Sequence, residues 1–264
     1  MMNVYVEVAK KSFQKLLAYR MSMVFRLCGF LVSLFVVYYL WKAIFTTSSV
    51  IEGYSFKMMI TYLILSFAIN ALYDLPAEHE LADKIIQGEI AMDLTKPIDQ
   101  QRIFFAQSLG ISINQLITYN IAFLVVTAFL FKIEPPCSMI GFVFFIISLL
   151  LGFIIMTAIG FITGTICFWT RDAWGIFFVK TTMVIFFSGA LIPLHFLPKW
   201  LENIAMILPF HGIIYTPISI YLGTISDYGV INLLLNQTIG AILLISLGKM
   251  LWYVGIKKVV IQGG

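Results

Sequence analysis

Glu78-His79-Glu80, with Asp83 three residues on, is a compact set of acid–base side chains and the first place to look for hydrolytic chemistry. A zinc hydrolase needs the second histidine of H-E-x-x-H, and Asp83 stands where that histidine would be. No G-x-S-x-G nucleophile elbow occurs, and the Gly248-Lys249 pair is not preceded by the glycine spacing of a phosphate-binding loop. Cys28, Cys137 and Cys167 share no C-x-x-C or Cys/His spacing, so they read as small core residues rather than a disulfide frame or metal site. His79 reads as a solvated loop residue, and His195 and His211 as hydrogen-bonded structural residues beside prolines. No third ligand for a metal can be named. The expectation is a chain with no catalytic set, no metal and no cofactor of its own.

Hydropathy sets the elements that carry these residues. The chain has 264 residues, 61% apolar and only 11% charged, with a mean hydropathy of +0.97. A soluble domain carries about 25% charged residues, so an ordinary cytosolic enzyme is excluded. Apolar stretches long enough to cross a bilayer recur from Leu27 onward, with no polar block large enough to fold separately, so residues 1–264 read as one transmembrane domain. The net charge of +4 reflects orientation in a membrane and not nucleic acid.

The expected fold is all-α integral membrane with six transmembrane helices, over residues 27–45, 58–73, 103–131, 139–168, 176–194 and 231–256. The longer ones must tilt, break or extend beyond lipid, and Gly152, Gly160 and Gly164 are candidate weak points. Gly160-x-x-x-Gly164 also suits close helix packing. Ahead of the spans, residues 3–24 form an amphipathic interfacial helix: Val8, Ala9, Phe13, Leu16 and Tyr19 share one face, and Lys10, Lys11 and Lys15 the other. Its apolar face should lie in the acyl boundary, with the lysines toward anionic lipid or a partner. The other reading is a first turn of span one. With the N-terminus cytoplasmic, thirteen of the seventeen Lys and Arg residues fall inside, among them Arg171 and Lys180, and only Lys42, Lys57, Lys132 and Lys199 fall outside. Both termini are then cytoplasmic.

Two connections exceed a turn. Residues 74–102, on the cytoplasmic side, hold seven of the thirteen acidic residues. Within them, residues 83–95 alternate acids with Ile85, Ile86, Ile90, Met92 and Leu94 and stop at Lys96-Pro97, a pattern for one short amphipathic helix pressed into a partner cleft or else for an acidic solvated loop. Residues 192–228, outside, stay apolar yet are broken by prolines and Gly212, and read as re-entrant outer helices between spans five and six. Deep in the spans lie only uncharged polar residues such as Asn70, Asn114, Gln115, Asn120 and Thr182; Lys180 is close enough to an end to snorkel. Ion-coupled carriers keep charge at mid-membrane, so any energy source here must lie elsewhere, on a separate subunit.

The stretch Gly88-Glu89-Ile90-Ala91-Met92-Asp93-Leu94-Thr95-Lys96-Pro97-Ile98 resembles the G-[DE]-I-A-x-D-L-x-[RK]-P-I segment of the type 2 permeases of ATP-binding-cassette (ABC) exporters, in the branch of short multidrug or antibiotic export permeases. Similar pieces are Phe168-Trp169, Ser188-Gly189-Ala190-Leu191-Ile192-Pro193, Leu208-Pro209-Phe210, Pro217 to Gly223, and Gln262-Gly263-Gly264. The resemblance implies a multi-pass permease of the bacterial cytoplasmic (inner) membrane, paired with a second six-span permease, the same or a homologous chain, and driven by two ABC ATPase subunits that hold the ATP and Mg. It implies ATPase coupling at Asp83, Gly88, Glu89, Ile90, Asp93, Leu94, Lys96 and Pro97. It further implies a substrate path along Tyr62, Ser66, Asn70, Phe178, Thr182, Ile185 and Phe186, and an outer gate at Ser188, Gly189, Pro193 and Pro198. Membrane lipid is the other expected partner. The alternatives are a gradient-driven carrier or channel without an ATPase, a membrane-embedded enzyme, and an inactive assembly subunit.

Overall fold

A computed structural model describes residues 2–17, 20–170 and 172–258. Tyr19, Arg171 and Gln262-Gly263-Gly264 lie outside the described residues. The described residues form α1 (Met2–Leu17), α2 (Arg20–Ile44), α3 (Phe56–Leu72), α4 (Ala77–Ile86), α5 (Ile90–Leu94), α6 (Gln100–Gln115), α7 (Ile121–Phe131), α8 (Met139–Ile166), α9 (Trp174–Phe187), α10 (Lys199–Ile207), α11 (Tyr215–Leu222) and α12 (Asp227–Gly255). A two-residue antiparallel pair, Val50–Ile51 with Tyr54–Ser55, turns the chain between α2 and α3. One π-helical turn, Leu116–Asn120, joins α6 to α7 without a break.

Helix ends follow local chemistry. Ser55, Asp99 and Ser138 cap α3, α6 and α8 by accepting from the amides of Met58, Arg102 and Gly141. Lys132, in the left-handed region at φ 49°, ends α7. Among the described residues five stretches are long and apolar enough to cross a membrane: Val24–Ile44, Phe56–Ile86, Gln100–Phe131, Met139–Ile166 and Tyr228–Lys258. The fifth of the six expected spans is shorter than predicted. Instead of running over residues 176–194 it is the 14-residue α9, which stops at Phe187 because Gly189 turns the backbone to φ 79° and Pro193 follows. Its length of about 21 Å falls short of a hydrocarbon core of about 30 Å.

Inside the bundle each helix break is served by a polar side chain from a neighbour. At the end of α3, the carbonyls of Ala71, Leu72 and Asp74 accept from Tyr119, Ser112 and Gln115 at 2.8, 2.9 and 2.7 Å. Beyond α9, the carbonyls of Gly189 and Ala190 accept from Tyr62 and Ser66 at 2.6 and 2.7 Å. Gln237 on α12 donates to the carbonyl of Gly212 at 2.6 Å. With no water available in lipid, these bonds are what permits broken backbone at such depth.

The outer connection is core rather than loop. Leu194, Ala205, Ile213, Ile214, Tyr215 and Ile218 are buried with Met59, Leu63 and Ile155 in the larger apolar cluster. A second cluster joins Leu81, Ile85, Ile90, Phe104, Phe161 and Trp252 around α4. The fourth stretch is one uninterrupted helix, so its glycines are not weak points. Gly152 faces the Gly212 carbonyl, and Gly160 and Gly164 receive α4 through Glu78 and Leu81.

The N-terminal helix also departs from expectation. Instead of leaving its apolar face to acyl chains, α1 lies along α6: a Cβ at Gly110 would collide with the carbonyl of Ala9, and Asn114 Nδ2 donates to the Phe13 carbonyl at 2.9 Å. Lys15 pairs with Glu80 at 3.1 Å. Backbone-to-backbone approach of this kind is open only to glycine. Gly110→Leu should therefore detach α1 at a cost of about 1–3 kcal/mol, read as faster amide exchange over residues 4–15 with the rest of the bundle protected; unchanged protection there would refute the contact.

Candidate functional site

Residues 74–102 do not form one amphipathic helix over 83–95. The chain makes α4, turns at Gly88 with φ 79°, and starts α5 two residues later. A helix cannot continue through a left-handed residue, which is why the segment breaks there. The buried positions of α4, Ala77, Glu78, Leu81, Ala82 and Ile85, form a helical stripe that begins before the sequence-predicted segment. His79, expected in a loop, lies on this helix, exposed, with its ring centroid 4.1 Å from that of Phe177.

Of the residues expected to engage an ATPase, Ile90 is buried beneath α5 and helps line a cavity of about 230 Å³ with Val8, Leu81 and Phe104. Asp93 is a local staple: it accepts from Lys84 at 2.9 Å and Lys96 at 2.8 Å. Burial pushes the Asp93 carboxyl up, but the hydrogen bonds and charge of Lys96 and Lys84 outweigh it and hold the group below its usual range. Asp83, Gly88, Glu89, Leu94, Lys96 and Pro97 remain exposed, as does Met92. Together they make a polar-rimmed surface with an apolar centre.

Between α2, α3, α4, α8 and α9 lies a cavity of about 410 Å³. Asn70 and Ile185 line it, as the sequence reading expected of path residues, with Phe30, Met156, Thr181 and Val184. One end of it carries charge, which that reading did not expect. Arg26 pairs with Asp74 at 2.6 Å, and Lys180 with Glu78 at 2.6 Å. Lys180 does not snorkel: its side chain is 10% exposed and that of Glu78 6%. Glu78 lies on the buried stripe of α4, and an acid on an apolar stripe is the sequence signal that would have found it. Such a pair gives little net stability over apolar residues of the same volume, whereas loss of one partner costs about 3–5 kcal/mol.

The other expected path residues divide in two. Tyr62 and Ser66 are buried at the seam where α3 meets the backbone after α9. Phe178, Thr182 and Phe186 are exposed on the outward face of α9. Of the residues expected at an outer gate, Ser188 is buried and its carbonyl accepts from the Tyr215 amide at 2.9 Å; Pro193 is buried and Pro198 exposed. Here the histidines are hydrogen-bonded as expected. With its proton on Nδ1, His195 donates to Glu202 at 2.6 Å and accepts from Tyr215 at 2.5 Å, and His211 bonds Thr216 at 2.8 Å. Burial would raise Glu202, but Lys199 and His195 hold it below the ordinary carboxylate range. Among the described residues no group of three or more His, Cys, Asp or Glu could hold a metal.

The Asp93 staple is testable by pH. A carboxyl whose folded pKa is depressed stabilises the fold fully above its unfolded value, near 3.8, and loses that contribution as pH falls through the lower folded value. At neutral pH, Asp93→Asn should weaken α5 by about 1 kcal/mol, read as faster normalised amide exchange over residues 90–94. The wild type should match the variant only well below pH 3.8, and equal exchange at neutral pH would refute the staple.

The family model described as ABC-2 family transporter protein matches residues 31–263. No curated protein matches the chain. The matched stretch runs from inside α2 through the cavity, the α4–α5 surface and the packed outer connection to the end of α12. A match over most of the chain, together with five helices fit to cross a bilayer, places this protein in the ABC-2 transporter family as a multi-pass membrane permease of an ABC transporter.

Proposed function

We propose that this chain is the non-catalytic membrane subunit of an ATP-driven exporter, forming the substrate path with a second permease of the same or a homologous sequence. Two ABC ATPase subunits supply the energy and hold the ATP and Mg. The observation that carries this reading is the α4–α5 surface of a family permease, with Met92 and Leu94 exposed beside Glu89, Lys96 and Pro97. Exposed apolar groups inside a charged rim are the chemistry of a helix that seats in a partner's groove. In this reading α9 acts as the fifth of six spans, made up to bilayer thickness by residues 188–193, and α10 and α11 are re-entrant. Both termini face the cytoplasm across a bacterial inner membrane.

The path runs from the cavity at Asn70 and Ile185 toward the seam at Tyr62 and Ser66, with Phe178, Thr182 and Phe186 presented to the second permease. Ser188, Gly189, Pro193 and Pro198 form the outer gate. Apolar walls with a charged end suit amphipathic molecules, multidrug or antibiotic compounds among them.

A gradient-driven carrier gains one point from the structure, because Glu78, Asp74 and Lys180 put titratable groups on the cavity wall. Purification of the tagged chain in mild detergent separates the two. A stoichiometric P-loop ATPase that is lost on deletion of residues 83–96 is expected; a chain that purifies without one and transports in liposomes under an ion gradient alone is a carrier. Within the complex, Glu89→Arg should lower ATP-dependent export about tenfold or more while leaving the subunits assembled, and wild-type export would move the coupling surface elsewhere.

A further inference from the structure

We infer that Glu78 and Lys180 are positioning residues: a tether by which α4 carries the near end of α9 when the ATPases move. The inference rests on the ATP-driven reading and adds a route from the docking surface to the fifth span.

Four observations converge on it. First, α9 makes few buried contacts within its own chain. Among its described residues only Phe177 and Val184 are buried, while Trp174, Phe178, Val179, Met183 and Phe186 are exposed. Second, its two inward side chains near the N-terminal end, Phe177 and Lys180, lie one turn apart and meet consecutive residues of α4. The Phe177 ring packs tilted against His79 with centroids 4.1 Å apart, and Lys180 Nζ reaches Glu78 Oε1 at 2.6 Å. Third, the far end of α9 is held by α3 and not by α4, since the carbonyls of Gly189 and Ala190 accept from Tyr62 and Ser66. Between α3 and α4 the helix is interrupted over residues 73–76, so α4 can turn on that break while α3 stays. A displacement of α4 then moves one end of α9 and not the other. Fourth, the opposite side of α4 rests on Gly160 and Gly164, a seat without side-chain knobs.

The choice of an ion pair fits this role better than a static one. Glu78 Oε1 accepts from Lys180, while Oε2 lies against Gly160 of α8. Coulomb attraction falls as the inverse of distance, whereas an apolar contact is lost once the surfaces part by about 1 Å. A charge pair therefore keeps pulling while α4 shifts.

The test uses the assembled complex in lipid nanodiscs. Spin labels go at Gln87 on the α4 side, at Val179 on α9 and at Phe129 as a fixed reference, in a chain whose cysteines are replaced, diluted with unlabelled chains. With ATP and vanadate, the distances from Phe129 to Gln87 and to Val179 should both shift, by about 2 Å. In Lys180→Met the Gln87 shift should remain and the Val179 shift vanish, and E78K/K180E should restore it. E78L/K180M, which removes the charges but keeps the volume, should assemble as well as wild type and still lose the Val179 shift. Persistence of that shift in E78L/K180M or in Lys180→Met overturns the tether, as does a swap that assembles without restoring it; if the swap fails to assemble, E78L/K180M decides alone. A wild-type complex in which Gln87 does not respond to ATP and vanadate overturns the ATP-driven reading and the tether with it.

Discussion

The seat of α4 on the glycines of α8 is the contact on which the rest of this structure depends. Gly160 and Gly164 leave no room for side chains where Glu78 and Leu81 come in. That close approach lets a charged, partly polar helix lie against an otherwise apolar one, and it holds Glu78 where Lys180 can reach it. The same seat places α4 beside Phe104 and Phe161, so that the smaller apolar cluster closes around it and buries Ile90 below α5. A larger residue at either glycine would push α4 away from α8 and with it both the cavity wall and the α4–α5 surface.

The second constraint is the solvation of broken backbone in lipid. The chain breaks near residue 73 and again after Phe187, places where carbonyls lose their helical donors. Tyr62, Ser66, Ser112, Gln115 and Tyr119 supply the missing donors from neighbouring helices. Polar residues that look like a transport path in the sequence are thus, in part, what makes the breaks possible. Tyr62 and Ser66 belong to both descriptions: they line the seam and bind the outer corner. A membrane bundle built partly of helix fragments needs such bonds, because each fragment end must be satisfied away from water.

Charge is arranged by the same logic. While Lys57 with Glu134, and Glu202 with Lys199 and His195, lie elsewhere, two ion pairs gather near the α3–α4 break, where Arg26 meets Asp74 and Lys180 meets Glu78. The cavity they border is apolar along Phe30, Met156, Val184 and Ile185 and ionic at one end. The fragment that bears Glu78 also leads to the α4–α5 surface.

The sequence by itself determined the class of the fold and most of its elements. Apolar runs, the scarcity of charge and the bias of Lys and Arg are one-dimensional properties, and they yield membrane helices whose ends agree with the structure to within a few residues, except at α9 and at the start of α2, which begins at Arg20 inside the stretch expected as the interfacial helix. Also legible were the close-packing role of Gly160 and Gly164, the structural histidines, and the segment Gly88 to Ile98 that carries the family resemblance. Three features were decided only by tertiary structure. Whether Gly88 takes a left-handed conformation, splitting 83–95 into α4 and α5, depends on what α4 packs against. Whether α1 faces lipid or α6 turns on the fit of Gly110 to a distant carbonyl. Whether Lys180 snorkels or pairs depends on Glu78, 102 residues away in the chain. Each is a contact between positions remote in sequence, and hydropathy and local spacing carry no information about which distant partner arrives.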